Sequence, residues 1–259
     1  MEKTIDDLVE KKERIYFYIA SVISVIIYGL IIKFSLPTMG NFAVILLVMK
    51  ILHGLYIGHI RQNAVKISKK QFADIYEIVE DYSTKLQLEK VPEVYILQSN
   101  GILNAFATRF LSVNFVVLHS DILELAYDNG KDAVKFIIAH ELGHLKRKHI
   151  QKNMLTSMAM IVPFLGSAYS RACETTCDNI ASYLAHENPT RGLLVLLAGK
   201  KLYGKVDLKE FLEKAEEERE FWSIFSEITS SHPSLSSRLK KIQQPNSGNN
   251  TEISEKNES

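Results

Sequence analysis

The segment His140-Glu141-Leu142-Gly143-His144 holds the residues best suited to chemistry in this chain. Two histidines four apart on a helix project from one face, one turn apart. Both imidazoles can then reach a single Zn²⁺ at about 2.0–2.1 Å. Glu141, beside the first histidine, can reach water at such an ion and act as its general base. The chain has 8 histidines in 259 residues. With such a composition about 0.02 accidental matches to the pattern are expected, too few to explain it by chance. A hydrolytic zinc site needs a third protein ligand and an open fourth position. Glu174 suits the third place. Asp178, four residues on, shares its helical face and suits a carboxylate that holds a ligating histidine by its free N–H. Cys173 and Cys177 are alternative ligands by type, also four apart but on another face. Two histidines and one glutamate fit hydrolysis better than a site closed by sulfur, so the cysteines read as reduced, packed thiols.

These groups need a rigid frame. Phe136, Ile137, Ile138 and Ala139 make the helix apolar just before the motif, and the spacing predicts one long helix over 131–150. Phe72, Ile75, Tyr76, Val79, Tyr82 and Leu86 recur at helical spacing and predict an amphipathic helix over 66–90. Short β-rich runs at 94–97, 104–110 and 113–118 predict strands, with a turn at Asn100-Gly101. The helical pattern resumes at Asp121, and further helices are predicted over 171–186, 190–203, 207–220 and 234–243. The polar stretch 244–259 has no periodicity and reads as a disordered tail.

Composition is ordinary for a globular chain, with 46% hydrophobic and 24% charged residues. A net charge of +1, from 31 basic and 30 acidic residues, gives no reason to expect nucleic acid as a partner. The apolar residues are concentrated near the start. Residues 15–32 carry no charge and would span about 27 Å as a helix, close to the hydrocarbon thickness. No small-residue cleavage site follows, so this run reads as an uncleaved anchor rather than a signal peptide. Residues 42–60 form a second apolar stretch, interrupted by Lys50, which would be shielded if it faced the partner helix. Pro37 and Gly40 lie in the break between them. Lys3, Lys11, Lys12 and Arg14 precede the pair, Arg61, Lys66, Lys69 and Lys70 follow it, and the turn has only Lys33. The positive-inside rule then places both ends in the cytoplasm. The domains are thus a cytoplasmic head (1–14), a transmembrane hairpin (15–60), a catalytic domain (61–243) and the tail.

The chain resembles the HtpX-like membrane metallopeptidases, a family that also includes the CAAX prenyl proteases. Four motifs carry the resemblance: NAFA at 104–107, HELGH at 140–144, SRACETTCD at 170–178 and HPSLSSR at 232–238. It covers about residues 70–243, and the hairpin before it is also typical. It implies a gluzincin, zincin-type fold, one zinc per chain and endopeptidase activity, and it supports Glu174 as ligand and Asp178 behind it. It further implies that Asn104 lies near the metal on a strand bordering the cleft, where an edge strand could pair with an extended peptide. By the same resemblance His232 approaches the site from a late loop and could donate to the oxyanion, and Arg238 is the arginine of that motif. His149 falls outside the metal's ligands and reads as packing or as a helix C-terminal charge. The chain departs from its relatives at His119-Ser120, where many have Thr, and at Cys177, where Ala is commoner.

Several relatives carry two transmembrane helices between HELGH and the third ligand, but here that segment is short. A single crossing by 154–169 would separate Glu174 from both histidines, and sixteen residues are too few for a hairpin. The run is expected to be a buried helix or to dip into the interface, where Lys146, Arg147, Lys148 and Lys152 could meet headgroups.

The reading is an α+β, mostly helical chain: a zincin-type domain with a small β-sheet behind a transmembrane hairpin. It would be a multi-pass protein of the cell membrane with its catalytic domain in the cytoplasm. Its function would be zinc-dependent cleavage of membrane-associated or misfolded proteins or peptides. The alternatives are an inactive zinc-binding scaffold, which has no need of Glu141, and a dedicated maturation protease for one lipidated or membrane peptide.

Overall fold

The helix that carries His140 and His144 is buried on nearly every side, and the rest of the chain is arranged to wrap it. The structure, a computed structural model, describes residues 4–34, 39–98 and 104–243. The turn at Asn100-Gly101, Pro37 and the tail over 244–259 lie outside the described residues.

Two long helices come first, α1 (Lys11–Phe34) and α2 (Met39–Asn63). Then follow β1 (Val65–Lys66), α3 (Ala73–Lys85), β2 (Glu93–Leu97), β3 (Ala105–Phe110) and β4 (Val113–His119). The helical part is α4 (Ser120–Asn129), α5 (Asp132–Lys146), α6 (His149–Leu155), α7 (Leu165–Leu184) and α8 (Pro189–Leu202), closed by α9 (Leu208–Glu217), α10 (Phe221–Thr229) and α11 (Leu235–Gln243). The result is the mostly helical α+β fold with a small mixed sheet that the sequence predicts.

The sheet order is β1-β2-β4-β3, with β2 parallel to β4 and the other pairs antiparallel. Leu111 and Ser112 join β3 to β4 with positive φ of 44° and 69°, the sense of twist a two-residue hairpin needs. Among the described residues β3 is therefore an edge strand with one side unpaired. Val116 and Leu118 of β4, Ile75 and Val79 of α3, Ile180 and Ala181 of α7, Leu193 of α8 and Leu239 of α11 enclose the apolar body of α5.

α5 and α7 pack closely at Gly143. A Cβ there would lie 3.3 Å from Cys177 Sγ and 3.4 Å from Cys177 Cα. Glycine between Leu142 and His144 thus lets the two backbones come together where both carry polar side chains.

The first helices have a different environment. α1 and α2 are each long and apolar enough to cross a membrane, with only 11% of each apolar window buried. Such all-round exposure of Ile, Val and Leu suits lipid. They do not pack on each other as a tight pair: α1 lies along α7, while the end of α2 meets the sheet through Ile57 and Ile60. Lys50 is accordingly not shielded by α1. It lines an apolar groove of about 930 Å³ between α2, β3 and Met154.

Other boundaries moved for local reasons. The helix over 131–150 breaks at Lys148, whose left-handed backbone (φ 55°) starts α6 in a new direction. The run 154–169 is no single buried helix: a 3₁₀ turn, Ser157–Ile161, precedes α7, which starts at Leu165 rather than 171. The amphipathic helix over 66–90 is shortened because Val65–Lys66 pairs with β2. α10 was not foreseen. The head is packed against α7, with Leu8 buried and Glu10 N–H donating to Thr176 Oγ1 at 3.0 Å.

Gly143→Val should force α5 from α7 and cost about 1–3 kcal/mol, as overpacking usually does. Cys177→Gly in the same chain should recover part of that loss, read as unfolding midpoint in detergent. Additive losses would show that the two positions do not meet.

Candidate metal centre

α5 and α7 bring His140, His144 and Glu174 together so that one donor atom from each lies within 4.8 Å of the others. His140 Nε2 is 3.3 Å from Glu174 Oε2, and His144 Nε2 is 3.3 Å from Glu174 Oε1. The two Nε2 atoms are 3.2 Å apart. Both rings therefore point the same nitrogen at one spot, beside a carboxylate. Each imidazole keeps its other nitrogen for a supporting contact, as metal-ligating histidines do.

For His140 that contact is Asp178, whose Oδ1 is 3.0 Å from Nδ1. Arg238 grips the same carboxylate twice, donating from Nε to Oδ2 and from Nη2 to Oδ1, each at 2.7 Å. The fork fixes Asp178, and Asp178 fixes the ring and its tautomer. His144 Nδ1 meets His149 Nδ1 at 2.9 Å. His149 Nε2 in turn lies 3.3 Å from Glu13 Oε1, on the first turn of α1. Burial lowers the His149 pKa to about 4, so the ring is neutral and can accept from His144.

The charges are those of a cation site. Burial alone would raise the Glu174 pKa, but His140, His144 and His232 hold it well below the carboxylate range. Asp178 is lowered too, by His140 and Arg238 against its burial. Burial disfavours a charged His140, yet Asp178 and Glu174 outweigh that and raise it to about 10. Two imidazoles and a carboxylate, converging in a cleft of about 370 Å³, fit a catalytic divalent cation such as Zn²⁺. Two other donor groups include sulfur: His144, His149 and Cys177, and Glu13, His149 and Cys173. Burial raises Cys173 to about 12 and Cys177 well above its ordinary value, which keeps both as packed thiols.

The remaining predicted residues line the same cleft. Glu141 is buried beside His140, and Asn104 stands at the entrance of β3, its Oδ1 accepting from Ala105 N–H at 2.9 Å. His232 Nδ1 lies 3.2 Å from Glu174 Oε2 on a ring that is 63% exposed. Sequence reasoning missed His149 and Glu13. A continuous helix over 131–150 would turn His149 about 140° away from His144, and only the break at Lys148 brings it back. Glu13 is fully buried among Arg147, His149 and Lys152. A carboxylate set between Lys12 and Arg14 gave no sign of that.

Residues 69–167 and 150–246 match the model of Peptidase family M48. The Plastoglobule-localized metallopeptidase 48, chloroplastic, of Arabidopsis thaliana is 30% identical over 171 residues, covering 59% of this chain and 48% of that protein. A Protease HtpX homolog of Sulfurihydrogenibium sp. (strain YO3AOP1) is 30% identical over 150 residues, covering 53% of this chain and 47% of that protein. The chain spans about half the length of these curated relatives. The crystal structure of S. mikatae Ste24p aligns over 90% of this chain and 67% of that one, with a TM-score of 0.48 and 17% identity.

His149→Leu should weaken Zn²⁺ binding by about tenfold or more, because His144 loses the partner of its Nδ1. Glu13 keeps Arg147 and Lys152, so helix content by circular dichroism should hold. Unchanged affinity in a folded variant would mean that His149 only fills space.

Proposed function

The chain belongs to Peptidase family M48, and from that premise we propose that it is a membrane-anchored, zinc-dependent endopeptidase working at the cytoplasmic face of the cell membrane. One observation carries the reading: His140, His144 and Glu174 converge beside Glu141 in a cleft bordered by an unpaired strand edge. Its substrates would be membrane-associated or misfolded proteins and peptides.

His140, His144 and Glu174 would hold the zinc, which when bound supplies Lewis-acid polarisation of a carbonyl and a water acidic enough to attack near neutral pH. Glu141 accepts the proton of the attacking water and returns one to the leaving amine. The substrate backbone lies along the free side of β3 as an added strand, which presents one peptide bond to the cleft. Asn104, at the start of that strand, and His232, from the loop opposite, donate to the carbonyl oxygen as it gains charge. Asp178 and Arg238 act through His140, holding its ring.

The membrane enters twice. Phe106 and Ala107 belong both to the cleft and to the apolar groove against α2. A substrate emerging from the bilayer thus has an apolar path to β3. Orientation follows from the Lys and Arg flanking α1 and α2. It agrees with the contacts of Glu13 at one end and Ile57 and Ile60 at the other, which bring the start of α1 and the end of α2 to the same domain.

Glu141→Gln should retain about one zinc per chain while cleavage of a vesicle-bound substrate falls by about 100-fold or more. Undiminished cleavage would exclude Glu141 as the base, and loss of the zinc would make it a ligand.

A further inference from the structure

The segment 154–164 and α10 leave apolar side chains that nothing among the described residues covers. Ile161 is 72% exposed and Trp222 73%, and Met154, Phe164 and Phe221 are also exposed. On α10, Phe221, Ile224, Phe225 and Ile228 recur at i, i+3, i+4 and i+7 and form one face, flanked by Trp222. Glu227 and the C-terminal end of the helix are fastened to the domain. Ser237 Oγ donates to Glu227 Oε1 at 2.7 Å. Arg171 Nη1 donates to the carbonyls of Ile228 at 2.6 Å and Ser230 at 2.8 Å. Ser167 Oγ donates to Thr229 O at 2.9 Å. α10 is therefore held with its apolar face outward. Phe225 stacks on Phe221 at 6.0 Å and meets Phe164 edge-on at 6.4 Å, joining the helix and the segment into one surface.

α1 gives the depth of that surface. Ala159 N–H donates to Ser24 Oγ at 2.9 Å, and Tyr28 Oη lies 2.7 Å from Ser157 Oγ. Ser24 is ten residues beyond Arg14, the last charge before the apolar span, hence about 15 Å along the helix. That is about half of a 30 Å hydrocarbon layer. Irregular backbone is tolerated at such depth where protein satisfies it, and Ser24 does so for Ala159. α7 then runs back along α1, with the Tyr169 ring 6.1 Å from that of Phe17, one turn inside Arg14. α10, tied to Phe164, Ser167 and Arg171, lies between these levels, in the outer part of the same leaflet.

Resting on the reading of α1 as a membrane span, we infer that 154–164 is a re-entrant segment and that α10 is a third membrane attachment, its aromatic face seated among phospholipid acyl chains. The sequence before α10, Glu216-Glu217-Glu218-Arg219-Glu220, supplies no basic cluster, so the attachment is hydrophobic rather than electrostatic. Continuity with α1 through Ser24 and Tyr28 favours lipid over a protein partner as the occupant. Through Ser234 and Ser237, which bond Glu227, the docked helix positions the loop bearing His232 and the start of α11, which carries Arg238.

Trp222 is the chain's single tryptophan and reports directly. The full chain is reconstituted in phosphatidylcholine vesicles. Trp222 emission should be blue-shifted, resistant to aqueous acrylamide and to high salt, and quenched more by lipid brominated near the headgroup than near the chain end. Ile161→Trp in a Trp222→Tyr chain should show the reverse preference. Retention through alkaline extraction tests the span separately: release of the chain overturns the spanning reading and the inference with it. In a retained chain, Trp222 open to acrylamide and untouched by brominated lipid overturns the inference. So does Trp222 shielded from both quenchers, which would mean that protein covers α10.

Discussion

Everything at the centre depends on how closely α5 and α7 approach at Gly143 and Cys177. That contact places two histidines of one buried helix against two carboxylates of another, in a core where an unpaired charge is costly. The core resolves the cost by pairing every group. Asp178 takes Arg238 in a bidentate fork and His140 on Oδ1 alone. Glu174 is left facing three imidazoles, of His140, His144 and His232, with its charge held by them. A divalent cation held by His140, His144 and Glu174 would answer the charge of that carboxylate. The candidate metal centre thus grows out of a helix contact rather than decorating a finished core.

The same logic ties the domain around α5 to α1. Glu13 sits at the start of α1 with no exposed surface, and Arg147, Lys152 and His149 converge on its Oε1. Removing one partner from a buried pair of this kind typically costs about 3–5 kcal/mol. Through His149 the cluster also reaches His144, so the entry of the chain into α1 and the orientation of a ligand share one set of contacts. A domain held this way is not hung on a flexible tether. Its cleft lies close to α2, with Phe106 and Ala107 joining it to the apolar groove.

Much of this was legible in the residues. His140 and His144 at helical spacing, and Glu174 and Asp178 at the same spacing, specify two faces that have only to meet. The resemblance located Asn104, His232 and Arg238, and the structure places all three at the cleft. What stayed hidden depends on tertiary contact. The break at Lys148 needs a left-handed backbone at a lysine, which no glycine or proline announces. Glu13 looks like any charge flanking a span until its partners are known. α10 has a clear apolar face, but it is nine residues long, follows an acidic run and turns that face outward. Lys50 faces a groove rather than α1, because the two long helices attach to different parts of the domain.

The central claim is that the ion is bound by two imidazoles and a carboxylate, although two neighbouring donor groups contain sulfur. X-ray absorption at the zinc edge of the purified, zinc-loaded full chain separates these directly. The account predicts a first shell of nitrogen and oxygen alone at about 2.0–2.2 Å, with imidazole outer-shell scattering. A scatterer at about 2.3 Å, the distance of a zinc–thiolate bond, would put Cys173 or Cys177 on the metal and contradict it.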